Sequence, residues 1–161
     1  MTLILLIFFW TVATLVGTVL PQNRIAMRCA YFKQKPKRVF DIMSNVNTWN
    51  WRKNIKKIVI IEGDGFSEGS RFKEISKKGN VISINVEKFK PNESYELSLK
   101  GIGFIAHWKG YITNYENGAR LFVTCETCVK NSLIRVISYL FFNLGNNIDD
   151  YLNDLQKEIN Q

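Results

Sequence analysis

The sequence predicts an α+β domain in which a curved antiparallel sheet of about seven strands wraps around a long carboxy-terminal helix. Strand-like segments follow one another between residues 58 and 128, and short turns containing glycine, asparagine or proline separate them. Two short helical patterns precede this run, and a long amphipathic pattern over residues 132–159 follows it. Consecutive strands with segregated helices are typical of the α+β class.

The composition fits one globular domain with a distinct amino-terminal segment. The chain has 161 residues, of which 46% are hydrophobic and 22% charged, enough apolar material for one core. Lysine and arginine number 22 against 14 acidic residues, so the net charge of +8 favours anionic partners. No nucleic-acid-binding motif accompanies this charge, and we therefore expect no nucleic-acid partner.

The amino-terminal segment predicts a membrane anchor. Residues 2–20, "TLILLIFFWTVATLVGTVL", carry no charge and would extend ~28 Å as a helix, close to the ~30 Å hydrocarbon core of a bilayer. We therefore expect a transmembrane helix at residues 1–21 and a separate domain at residues 22–161. A cleavable signal peptide is the alternative, but the basic n-region and the small-residue cleavage site of such peptides are missing.

The flanking charges predict the orientation of this anchor. Basic residues crowd the carboxyl side of the segment, whereas its amino side has none, so the positive-inside rule predicts a single-pass membrane protein whose domain faces the cytoplasm. The odd count of three cysteines agrees with a reducing compartment. Within the segment, Ala13 and Gly17 form a small-xxx-small pair that could let two helices approach closely.

The first elements of the domain are a strand and two short helices. "RIAMRCAYF" alternates like a strand, and "KPKRVFDIMS" has a proline suited to a first helical turn, followed by an apolar stripe. "NTWNWRKN" is long enough for only one or two turns of a second helix. Six further strands follow as a meander: "IVIIE", "SRFKEISK", "VISINVEKF", "SYELSLKG", "FIAHWKGYITNY" and "RLFVTCETCV".

The final helix, predicted at residues 132–159, has two different halves. Its second half has one apolar stripe, as expected for a helix on a sheet, whereas residues 133–144 are apolar on nearly every face. We expect the surplus face, formed by Tyr139, Leu140 and Phe142, to lie near the membrane or at the mouth of a cavity, with packing against the two short helices as the alternative.

These elements, in this order, resemble the START-like superfamily of helix-grip domains, which includes polyketide cyclases. Three stretches carry the resemblance: "KPKRVFDIMSNVNTWNWRKNIKKI", "EGDGFSEGSRF" and "DDYLNDLQKEI". The resemblance implies that Trp49 is a structural anchor at the edge of the sheet. Trp51 lies two positions further on and should contribute less to stability.

The resemblance also implies a cavity between the sheet and the long helix for a hydrophobic ligand, such as a lipid, a quinone or a polyketide-like compound. Pockets of this kind are mostly apolar with a few orienting polar groups. The alternative is that bulky side chains fill this space as core. The candidate lining residues are Phe104, Trp108, Tyr111, Ile134, Ile137, Phe141 and Leu144.

The sequence contains no recognisable catalytic constellation. The polar candidates within the β region are His107, Glu74, Glu87, Glu126 and Arg120, and none stands beside a partner at a telling spacing. "CETC" would place its two cysteines on opposite faces of a strand, so we expect no metal site and no cofactor. Two hypotheses remain: a membrane-tethered module that binds or transfers a hydrophobic ligand, and a cyclase or dehydratase acting on such a ligand.

Overall fold

The computed structural model describes the backbone of residues 2–161 and the surroundings of all their side chains except those of residues 2, 3, 6 and 9. The elements are α1 (Thr2–Val19), β1 (Asn23–Phe32), α2 (Pro36–Ser44), a 3₁₀ helix (Val46–Trp51), β2 (Ile55–Glu62), β3 (Arg71–Ser76), β4 (Val81–Lys90), β5 (Ser94–Gly101), β6 (Phe104–Tyr115), β7 (Gly118–Cys128), α3 (Ser132–Phe141) and α4 (Leu144–Ile159). The predicted α+β class is therefore confirmed.

The seven strands form one antiparallel sheet in the order β1-β7-β6-β5-β4-β3-β2. Six of them follow the chain as a meander, and β1 closes the other edge by pairing with β7. The inward face is apolar because alternate residues point to it: on β7 these include the buried Leu121, Val123 and Cys125. α4 packs chiefly on β1, and its buried Ile148 and Leu155 complete the core.

The predicted single helix at residues 132–159 is two helices. α3 ends at Phe141, and Phe142 has an extended backbone (φ −118°, ψ 105°). Asn143 then caps α4, because its side-chain oxygen accepts a hydrogen bond of 3.2 Å from the backbone N–H of Asn146. The apolar periodicity continues across the break, so it concealed the capping residue.

The structure removes the reason for expecting Trp51 to contribute less to stability than Trp49, because both side chains are buried. Trp49 is buried as expected, since its ring lies against Phe66 and Phe72, but Trp51 is also buried and lies against Tyr151. The segment is a kinked 3₁₀ helix with a non-helical Thr48, so the α-helical spacing that separates positions two apart does not apply.

The prediction of an amino-terminal transmembrane helix is also wrong. The prediction of a single-pass membrane protein with a cytoplasmic domain depended on that helix and is wrong for the same reason. Within residues 2–161, no helix combines the length and the apolar character needed to cross a bilayer. α1 has 18 residues and extends about 27 Å. Its last turn packs against α3 of the same chain. A Cβ atom at Gly17 would lie 2.2 Å from the carbonyl oxygen of Ser132, so the small residue serves a contact within the chain.

The surplus apolar face is split in the structure. Tyr139 is half-buried beneath the guanidinium of Arg24, which lies 4.5 Å from its ring centroid, whereas Leu140 and Phe142 are exposed. Lys33, Lys35 and Lys37 follow the carboxyl end of β1, a ten-residue strand that spans about 30 Å at ~3.3 Å per residue and begins beside α1. These lysines therefore do not flank α1.

Candidate functional site

Six side chains from five parts of the fold meet on the inner face of the sheet. We call this set the interior cluster, and its members are Trp51 of the 3₁₀ helix, Arg52 immediately after it, Glu74 of β3, Tyr95 of β5, Trp108 of β6 and Tyr151 of α4.

The charged members of the interior cluster pair with each other. Glu74 occupies an inward position of β3, and only 7% of its side chain is exposed. Its carboxylate accepts a hydrogen bond from Nη1 of Arg52, whose guanidinium carbon lies 4.9 Å from the ring centroid of Trp49 and 5.5 Å from that of Tyr151. A buried carboxylate requires such a partner, because removing an unpaired charge from water is costly.

A glycine on β6 makes room for Tyr95. Gly110 lies opposite Tyr95 in the β5–β6 register, and a Cβ atom there would lie 2.0 Å from Cε1 of the tyrosine. The ring therefore lies across the neighbouring strand, where its hydroxyl accepts a 3.1 Å hydrogen bond from Nε1 of Trp108. Glycine in a strand interior often marks such a close approach.

Tyr151 joins the two tryptophans of the interior cluster. Its ring centroid lies 5.4 Å from that of Trp108 and 5.7 Å from that of Trp51, with interplanar angles of 80° and 53°. Edge-to-face and tilted contacts at these separations are favourable for aromatic rings. The α4 helix is thereby fixed to both the sheet and the 3₁₀ helix through one side chain.

Burial keeps both tyrosines of the interior cluster neutral. It raises the pKa of Tyr95 above its ordinary value of 10.0, although hydrogen bonds with Trp108 and Tyr151 act in the opposite direction. Burial and the nearby Tyr95 raise the pKa of Tyr151 well above 10.0, and the positive charge of Arg52 opposes this. Both phenols therefore remain protonated near neutral pH and can donate hydrogen bonds.

One indole of the interior cluster has no hydrogen-bond acceptor. Trp51 is 9% exposed, and within the described residues its Nε1 is a buried side-chain nitrogen without a partner. The other two indoles of the core are satisfied, since Nε1 of Trp49 donates to the carbonyl oxygen of Met43 at 2.8 Å and that of Trp108 donates to Tyr95. An unmet buried donor typically costs about 1–3 kcal/mol.

The inner face of the sheet is partly open beside the interior cluster. Ile82, Leu99, Phe104 and Trp108 point inward, yet each is only half-buried where it packs against the core. The inward residues next to them, Ile84, Leu97 and Ala106, are buried, so the partial exposure is confined to these four side chains. We call this partly open space the inner groove.

The structure brings three of the seven predicted lining residues to the inner side of the fold: Phe104, Trp108 and Leu144 pack half-buried against the core. Ile134 is half-buried, and its Cδ1 lies only 2.5 Å from the position that a Cβ atom on Gly103 would take. The remaining three are exposed: Ile137 and Phe141 on α3, and Tyr111 on the outer face of β6. Tyr111 is outward because the inward positions of this strand carry even numbers.

The same alternation of inward and outward positions along β6 places His107 on the outer face of the sheet, where its Nδ1 lies 3.9 Å from Oε2 of Glu87.

The two cysteines of β7 lie on opposite faces of the sheet. Cys125 points inward and Cys128 outward, and burial raises the pKa of the Cys125 thiol above its ordinary value of 9.0. Of the polar candidates named from sequence, only Glu74 belongs to the interior cluster.

A separate depression of about 310 Å³ lies between β1 and the junction of α3 and α4. Two arginines line it, but both guanidinium groups are engaged: Arg24 donates to the carbonyl oxygens of Ser138 and Phe142, and Arg28 donates to Asp149. This polar notch is distinct from the apolar cavity predicted between sheet and helix.

Solved structures with the same arrangement of elements confirm the helix-grip fold. Ara h 8.0201 superposes with a TM-score of 0.64 at 12% identity, covering 85% of this chain and 97% of the other. A protein from Rhizobium leguminosarum gives a TM-score of 0.68 at 12% identity, covering 86% and 95%. Norcoclaurine synthase from Thalictrum flavum, a point mutant in complex with a transition-state analogue, gives 0.67 at 10% identity, covering 85% and 94%.

These likenesses establish the fold alone, because all three identities are far below the level at which function is shared. No protein-family model matches the sequence, and no curated protein matches it.

Proposed function

We propose that the protein binds a hydrophobic small molecule in the inner groove, with the interior cluster at its base. The observation that carries this proposal is the convergence of three large aromatic rings, Trp51, Trp108 and Tyr151, beside inward-facing apolar residues that are only half-buried. Apolar walls with a few fixed polar groups are typical of small-molecule sites.

The composition of the interior cluster argues against a purely structural role. A core that only needed filling would be cheaper to build from apolar side chains, because a buried ion pair seldom adds stability over hydrophobic residues of similar volume. Here the guanidinium of Arg52, paired with Glu74, and the ring of Trp51, whose N–H has no acceptor in the described residues, both lie against Tyr151. The similar fold of norcoclaurine synthase, solved with a transition-state analogue, supports ligand binding in a scaffold of this shape.

The test is to purify the full chain, extract it with organic solvent and identify co-purifying compounds by mass spectrometry. We expect a hydrophobic compound in near-stoichiometric amount. Leu99→Trp should fill the inner groove and abolish co-purification, whereas Ile102→Trp, on the turn between β5 and β6 with 86% of the residue exposed, should not. Equal recovery from both variants, each shown to be folded by its thermal transition, contradicts the proposal.

A second candidate function is a cyclase or dehydratase acting on the bound compound. The observation that favours it is that four titratable groups, Arg52, Glu74, Tyr95 and Tyr151, lie together in the interior cluster. The compounds recovered from the unaltered protein and from Glu74→Gln separate the two functions, because a binder yields the same compound from both. A dehydratase yields from the unaltered protein a compound lighter by one water than that from Glu74→Gln, and a cyclase yields an isomer of equal mass and different chromatographic retention.

A further inference from the structure

The N–H of Trp51 is a specific feature of the interior cluster. Within the described residues, its Nε1 is buried and has no hydrogen-bond acceptor in the protein. The Trp51 ring is connected to the inner groove through Tyr151, whose ring centroid lies 5.7 Å from that of Trp51 and 5.4 Å from that of the groove residue Trp108. Ile82, another groove residue, lies opposite Glu74 of the interior cluster in the β3–β4 register.

The charges within the interior cluster are balanced, because Arg52 and Glu74 neutralise each other. Asp154 lies outside the cluster: its carboxylate accepts a 2.9 Å hydrogen bond from the backbone N–H of Lys53, and the exposed ammonium groups of Lys53 and Lys157 lie beside it. Neither a cationic nor an anionic ligand would gain an unpaired counter-charge here, and each would lose its hydration.

The interior cluster has more hydrogen-bond donors than free acceptors. Trp108 donates to Tyr95, and one of the two phenol protons is used in the hydrogen bond between Tyr95 and Tyr151, so the other phenol proton and the N–H of Trp51 remain as donors. The Glu74 carboxylate is committed to Arg52. A ligand matched to this environment supplies acceptors rather than donors.

We infer that the inner groove takes a neutral, planar apolar compound carrying a carbonyl oxygen, and that Nε1 of Trp51 donates a hydrogen bond to that oxygen. The planar shape follows from the aromatic walls, which favour stacking and edge contacts with another ring. The carbonyl follows from the unmet donor and the balanced charge. This inference rests on the proposed function and specifies its ligand class.

The test uses three probes with the same ring system: fluorene, the neutral ketone fluorenone, and a fluorene carboxylate. Fluorenone is not an alkylating agent, so the exposed Cys29 does not complicate the measurement. Equilibrium dialysis against the full chain should show fluorenone binding about 5–10-fold more tightly than fluorene, as expected for one added hydrogen bond. The carboxylate should bind most weakly.

Trp51→Phe removes the N–H and keeps an aromatic ring, so the ratio of the fluorene and fluorenone dissociation constants should fall to about one, whatever the change in the affinity for both probes. Trp49→Phe is the matched control, because its N–H already donates to Met43 and its replacement should leave the preference intact. Equal binding of fluorene and fluorenone by the unaltered protein, a preference that survives Trp51→Phe, or tightest binding of the carboxylate overturns this inference alone. Absence of binding by all three probes overturns the proposed function and this inference together.

Discussion

Arg52 and Glu74 form a buried ion pair between the 3₁₀ helix and β3, under the rings of Trp49 and Tyr151. Their side chains are only 21% and 7% exposed, so the pair is shielded from solvent and salt more than any surface pair would be. It joins the short helical segment, the sheet and α4 at one point, so it is the polar centre of the interior cluster.

Glu74→Gln should destabilise the protein by about 3 kcal/mol, because the substitution leaves the Arg52 guanidinium without a counter-charge in a largely buried position. The measurement is urea unfolding followed by circular dichroism. Glu62→Gln is the matched control, since it breaks the exposed pair with Arg71 and should cost only about 0.5 kcal/mol. Similar losses for the two variants would show that the interior pair has no special role.

Trp49→Ala and Trp51→Ala should each reduce the free energy of unfolding by about 3–5 kcal/mol, because both rings are buried in the core and their removal leaves cavities. Trp10→Ala, on α1 with 58% of the residue exposed, should change it by less than about 0.5 kcal/mol. A cost for Trp51→Ala close to that of Trp10→Ala would return Trp51 to the peripheral role that its spacing suggested.

The sheet could be predicted from sequence because alternation is a local signal. The inward series of β7, for example, is legible as Leu121, Val123 and Cys125 alternating with more polar neighbours. The break between α3 and α4 and the 3₁₀ geometry around Trp51 were missed for a different reason. In both segments the apolar periodicity continues through a change in backbone conformation. The backbone leaves the helical conformation at Asn143 in the first segment and at Thr48 in the second.

The interior cluster could not be predicted from local patterns. Tyr95 and Tyr151 are far apart in the chain and meet only because α4 folds back over the sheet. Glu74 was visible as a polar candidate, but its inward orientation depends on the strand register. The one local signal was Gly110, a glycine within a strand, which the close approach of Tyr95 explains.

Alkaline pH should destabilise the protein in a defined window. The pKa values of Tyr95 and Tyr151 are raised in the folded state, so above about pH 10 the unfolded chain loses these protons first and unfolding becomes more favourable. Their contribution is fully present below pH 10 and is lost as the pH rises through the folded-state values. Tyr151→Phe should make this loss shallower, as measured by thermal melting across the alkaline range. An unchanged pH dependence would contradict the assignment.

Arg135 is a buried arginine whose guanidinium, within the described residues, donates hydrogen bonds to four backbone carbonyl oxygens and to no carboxylate. Only 3% of the residue is exposed, and its guanidinium donates to Gly17 and Leu20 at the end of α1 and to Val129 and Lys130 before α3. The carboxyl end of a helix carries partial negative charge, which stabilises a cation there. Arg135 therefore fastens α1 to the domain.

Arg135→Met keeps the apolar stem and removes the guanidinium, so the last turn of α1 should separate from α3 and its backbone amides should lose protection from hydrogen exchange, while those of the sheet keep theirs. Gly17→Ala tests the same contact independently, because its new Cβ would collide with the carbonyl oxygen of Ser132 at 2.2 Å. Arg120→Met is the control, since that guanidinium lies over the Tyr115 ring on the outer face of the sheet, 3.4 Å from its centroid, away from α1. Full protection of the last turn of α1 in both Arg135→Met and Gly17→Ala would mean that neither the guanidinium nor the close helix contact holds this element in place.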